Sequence, residues 1–201
     1  MTKSTESKGE FNNNLLTSKD YKNAFFKIFY NIDKHIYYLK DLGVGYGTFY
    51  KIEDEAAIKE NTIVNIGENY LVFSFKIADP NNNDNNSKSN SNNSNDEIDE
   101  EGLYLKIYSN EGEYEPILIQ NINRIYQIGR SEKCDIYIKD KMLSRVHCRL
   151  FYIDNNWFIK DGNESGNEST NGTWVYANEE TEITEGMQFK SNSCNFLCKF
   201  Q

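Results

Sequence analysis

Proline is almost missing from this chain, with two in 201 residues, and histidine and tryptophan are as scarce, with two of each. No run of eighteen apolar residues occurs, which excludes an apolar span long enough to cross a bilayer as a helix. The first residues lack the basic, apolar and small-residue succession of a secretory signal, so an intracellular protein, cytoplasmic or nuclear, is expected. Positive charge is also short: 22 Lys and Arg face 31 Asp and Glu, a formal net charge of −9. That balance argues against a nucleic-acid partner, because phosphate backbones need a positive field. Hydrophobic residues reach only 38%, below the roughly 45–50% of a globular domain, so part of the chain should not pack. Amphipathic helices are absent too; Glu55 to Glu60 could make one turn at most.

What is plentiful is aromatic: 14 Tyr and 12 Phe, suited to pleated, half-buried surfaces. Short alternating runs such as Cys134 to Ile138 and Asn156 to Ile159, separated by Asn, Asp and Gly turns, predict an all-β antiparallel sandwich. The four cysteines (Cys134, Cys148, Cys194 and Cys198) lie in the C-terminal third and are expected as free thiols. Cys194, Cys198 and the His147-Cys148 pair could supply zinc donors, but Cys194 to Cys198 reads as a strand without a knuckle turn. Neither a metal nor a cofactor is expected.

Four regions follow from composition. Residues 1–24 form a polar tail. Residues 79–102 are rich in Ser, Asn and Asp and cannot bury enough surface to offset ordering, so they read as a disordered acidic linker. Between and after them lie two β-rich stretches, 25–78 and 103–201, that resemble each other. Each has a strand, a short polar turn, a second strand ending in Lys-Asp, a glycine loop closing on Gly-Thr-aromatic, and further strands. Charge divides unevenly: zero over 1–78, −6 over the linker and −3 over 103–201. Within the last stretch, residues 124–149 carry seven basic and three acidic groups, a net +4, which suits an acidic or phosphorylated peptide.

Three motifs stand in order in the second stretch: Gly129-Arg130, then Ser144-x-x-His147, then Ser169-Thr170-Asn171-Gly172-Thr173. A guanidinium on a loop after a strand can hold a phosphate dianion through charge-assisted, directional bonds. The Ser144 hydroxyl could donate another. Gly129 lets the backbone pass close beneath, and the Asn171 amide can both donate to and accept from an extended main chain. Ser144 and His147 might suggest a nucleophile and base. On a strand, however, residues three apart face opposite ways, and no acid or oxyanion motif is placed to help.

These motifs resemble the forkhead-associated (FHA) domain, a β-sandwich that reads phosphothreonine peptides, over residues 103–200. The resemblance implies a non-catalytic adaptor whose partner is a phosphothreonine-containing protein. It implies that Arg130, Ser144 and Thr170 bind phosphate, that Arg145 assists, and that Asn171 holds the peptide main chain. Gly129, His147 and Gly172 are then structural. A phosphate-independent scaffold or dimerisation module is the alternative.

Two departures matter. The step from Asp161 to Ser169 is five residues longer than that from Asp41 to Val44. Its Glu164 and Glu168 are expected beside the peptide, disfavouring acids after the phosphothreonine. The first stretch reads Val44-Gly45-Tyr46-Gly47-Thr48, has no Gly-Arg or Ser-x-x-His before it, and so reads as a partial, degenerate FHA-like unit. Half a sandwich leaves open edges. They would be covered by the second unit, which is preferred, by a homodimer through residues 25–78, or by chain beyond this sequence.

Overall fold

The structure, a computed structural model, describes residues 24–75, 102–110 and 112–200. Apart from Ala24 and Gly102, the expected polar tail and acidic linker lie outside the described residues. Those described form seventeen strands and no helix. The N-terminal stretch gives β1 (Phe26–Asn31), β2 (Ile36–Asp41), β3 (Thr48–Lys51), β4 (Glu55–Ile58), β5 (Ile63–Ile66) and β6 (Asn69–Ser74). After residue 102 come β7 (Leu103–Ser109), β8 (Gly112–Glu113), β9 (Ile117–Ile119), β10 (Tyr126–Gly129), β11 (Ile136–Tyr137) and β12 (Cys148–Ile153). The last five are β13 (Asn156–Asp161), β14 (Thr173–Tyr176), β15 (Thr181–Glu182), β16 (Gln188–Ser191) and β17 (Cys194–Leu197).

Local chemistry explains most of these elements. In β13, Trp157 and Ile159 are buried while Asn156 and Phe158 are not, the period-2 pattern of a one-sided strand. The β12–β13 turn is Asp154-Asn155 with φ of 48° and 61°, the doubly positive turn whose twist matches a hairpin and which Asn and Asp tolerate best. Glu55 to Ile58, expected as a helical turn, is instead β4. Ala56 and Ile58 alternate inward, and the segment pairs with β13 in the register Trp157↔Ile58 and Ile159↔Ala56. Strand pairing overrides a weak local helical preference there.

Two sheets make the main sandwich. A five-stranded sheet runs β11-β10-β12-β13-β4, and a nine-stranded one runs β17-β16-β3-β14-β5-β6-β7-β8 with β9 beside β7. Strands β10 and β11 pair in parallel. Between the sheets lies one apolar cluster that includes Val64, Leu71, Phe73, Leu105, Leu150, Trp157, Ile159 and Val175. A small third sheet, β1-β2-β15, goes with a second cluster of Leu39, Ala177, Ile183, Met187 and Phe189.

The two stretches do more than pack against each other, because their strands share sheets. Strand β3 lies between β16 and β14, and β5 pairs with β14 on its other side. The strands that follow each glycine loop are traded. After β3, strands β4 and β5 go to β13 and β14. After β14, strands β15 and β16 go to β2 and β3. Strands β6 and β7, on either side of the segment read as a linker, are direct neighbours, with Ser74 opposite Tyr104. Of the four free thiols, Cys134 and Cys148 are buried but Cys194 is exposed on β17.

Candidate functional site

Strand β10 ends at Gly129, and the chain from Ser144 to His147 runs alongside it. Arg130 N donates to Ser144 O at 3.1 Å, Ser131 N to Arg145 O at 3.1 Å, and His147 N to Ile128 O at 2.8 Å. This contact is so close that a Cβ on Gly129 would run into the Arg145 carbonyl. Only glycine fits, and the consequence is that Arg130 and Ser144 emerge side by side.

Ser144 and His147, expected on a strand with opposed side chains, sit in a loop instead. Within that loop Ser144 N donates to His147 Nδ1 at 3.1 Å. That nitrogen is therefore an acceptor, and the proton lies on Nε2, 3.1 Å from Gly172 O. The imidazole is fully buried. Burial pushes its pKa below the ordinary histidine value, against the Gly172 carbonyl and the charges of Asp161 and Asp140. Both ring nitrogens are engaged by backbone, so His147 ties one loop to the other and has no nitrogen free for the Ser144 hydroxyl.

The Ser169–Thr173 loop is anchored by Asp161 at the end of β13. Its carboxylate accepts from Ser169 N at 2.7 Å, Ser169 Oγ at 2.7 Å and Thr173 Oγ1 at 2.6 Å. Gly172 takes φ +74°, and its N–H donates to Ser169 Oγ at 2.9 Å. Thus fixed, Thr170 meets Ser144: Thr170 N donates to Ser144 Oγ at 3.0 Å, and the two hydroxyl oxygens are 3.3 Å apart. Asn171 Nδ2 donates to Met142 O at 2.7 Å, and the Asn171 main-chain carbonyl accepts from Trp174 Nε1 at 2.8 Å. One of the two amide N–H groups expected to grip a peptide is already used inside the protein, and Oδ1 accepts no hydrogen bond among the described residues.

Arg130, Ser144, Arg145, Thr170 and Asn171 all line one depression of ≈ 640 Å³. Arg130, Arg145, Thr170 and Asn171 are exposed and Ser144 is half-buried. Neither guanidinium has a partner among the described residues. The inserted loop divides its two acids. Glu168 lines the depression and lies 3.6 Å from Lys51 Nζ of β3, whereas Glu164 turns to Gln127 Nε2 at 3.4 Å. Lys141, Met142 and Asp140 were not singled out in the sequence. Asp140 Oδ1 accepts from Met142 N at 2.7 Å, and an Asp two residues before an apolar residue in a turn is a weak but available signal.

Residues 126–192 match the model of the FHA domain. That span is FHA-like. FHA domains are non-catalytic protein-interaction modules that bind phosphopeptides, and the depression lies inside the matched span. The chain matches no curated protein and no solved structure. The FHA match ends beyond β16, a strand that pairs with β3 of the N-terminal stretch. Its sandwich also takes in β4, β5 and β6, which precede the match. Among the described residues no His, Cys, Asp and Glu cluster suits a metal, and no helix is long and apolar enough to cross a membrane.

Proposed function

We propose that this protein is an adaptor that binds a phosphothreonine-containing segment of an intracellular partner. The observation that carries the reading is the unpaired Arg130 guanidinium beside the Ser144 and Thr170 hydroxyls in one open depression. Arg130 supplies the main charge and Arg145 a second one. Ser144 Oγ accepts from Thr170 N, and whichever of the Ser144 and Thr170 hydroxyls does not donate to the other has its proton for a phosphate oxygen. Asn171 Oδ1 accepts from a main-chain N–H of the extended peptide. His147, Gly129 and Gly172 hold the two loops at the spacing the phosphate requires.

Arg130→Ala should abolish phosphopeptide binding, a loss of at least about 100-fold, while leaving the melting temperature within a degree or two. Arg130→Lys should recover little, because an ammonium lacks the planar fork. Titration calorimetry with phosphothreonine, phosphoserine and unmodified versions of one peptide decides the matter. Equal affinity for all three would refute the reading.

A further inference from the structure

A second depression, of ≈ 500 Å³, shares Arg130 and Lys141 with the first. Tyr137, Lys139 and Asp140 line it from the FHA side, and Glu68 and Asn69 from the β5–β6 hairpin. The carboxylates here are occupied. Asp140 Oδ2 accepts from Glu68 N at 3.0 Å and Asn69 Nδ2 at 2.8 Å, its Oδ1 holds Met142 N, and Glu68 Oε2 accepts from Asn110 Nδ2 at 3.0 Å. The cations are not. Among the described residues no carboxylate lies within 4.0 Å of the charged groups of Arg130, Lys139 or Lys141.

Three cations against the two carboxylates of Glu68 and Asp140, none of them ion-paired with one another, leave the concavity net positive, a seat for an anion. Because Arg130 borders both depressions, a peptide whose phosphate meets Arg130 presents a neighbouring side chain to the second one. We infer that the groove continues past Arg130 and takes there an anionic side chain, a carboxylate or a second phosphate, flanking the phosphothreonine. Glu168 in the first depression disfavours an acid in its own direction, so the acidic preference holds on one side of the phosphothreonine only. The inference rests on the phosphopeptide reading above. It adds that residues from before the FHA match, Glu68 and Asn69, help to select the partner.

Fluorescence anisotropy on the full chain tests it with one phosphothreonine peptide carrying Ala, Asp, Lys or phosphoserine two to four residues before or after the phosphothreonine. On one side, Asp should bind about three- to fivefold more tightly than Ala, as expected for an exposed charge contact. Phosphoserine should gain about tenfold through its larger charge. Lys139→Glu should reverse the order, so that Lys binds better than Asp on that side. Ala, Asp and Lys within twofold of one another on both sides, with binding still lost in Arg130→Ala, would overturn the inference and leave the phosphopeptide reading intact. An acidic advantage that survives Lys139→Glu would overturn it equally. Unchanged binding by Arg130→Ala would remove both.

Discussion

His147 joins two loops by accepting from Ser144 N with one ring nitrogen and donating to Gly172 O with the other. Protonation would put a second N–H against the Ser144 N–H, in a site that water does not reach. The unfolded chain takes up that proton near pH 6.5, and the folded chain resists it to a lower pH because burial depresses the pKa. The stability from neutral His147 is therefore complete above about pH 6.5 and lost as the pH falls through the folded pKa. Thermal melts should drop between pH 7.5 and 5. His147→Ala should cost about 2–5 kcal/mol at pH 7.5, by orphaning two buried backbone groups, and should flatten the slope. Lys190 offers a second titration. Burial lowers its pKa to about 8, its Nζ sits 4.6 Å from the Trp174 ring centroid, and Trp174 Nε1 holds the Asn171 carbonyl. Tryptophan emission should change with a midpoint near pH 8 as the cation over the ring is discharged. Lys190→Met should abolish that transition, with the buried Trp157 as a constant background.

At the scale of elements, β13 and β14 depend on β4 and β5, and β6 covers the edge of β7. Residues 103–201 expressed alone should therefore expose open edges on β7, β13, β16 and both sides of β14, with the side of the core that Leu71 and Phe73 cover, and fail to give a cooperative melt or to bind phosphopeptide. Co-expression with residues 1–78 should restore both, checked by co-purification and calorimetry. A lone 103–201 fragment as stable as the full chain would contradict the strand trading. Individual strands, turns and the three motifs were legible in the sequence because they are local: alternation, Asp154-Asn155, Gly129-Arg130. Strand partners were not. Glu55 to Ile58 has the same alternation whether its neighbour is β2 or β13, and only the assembled core chooses. The Ser144–His147 loop was misread as strand because its backbone bonds run to β10 out of regular register. The brace from Asp140 to Glu68 N links residues 72 positions apart, with nothing in either neighbourhood to announce it.

For the whole molecule, a net charge of −9 describes the segment between β6 and β7 more than the surface around Arg130. A protease site placed within residues 79–102 should, once cut, leave the two pieces in one particle on size exclusion, separable only in denaturant. The interlocked strands also set an order for synthesis. Ile58 waits for Trp157, made about 100 residues later, an interval of roughly 5–20 s at ribosomal speed. Throughout that interval Ile63–Ile66 and Asn69–Ser74 can pair with each other and then with β7, but the outer edge of β5 still lacks β14 and their apolar face lacks the opposite sheet. The nascent polypeptide is thus a client for chaperones long before it is a receptor for its ligand, and slowed translation after residue 75 should lower the soluble yield more than slowed translation after residue 176.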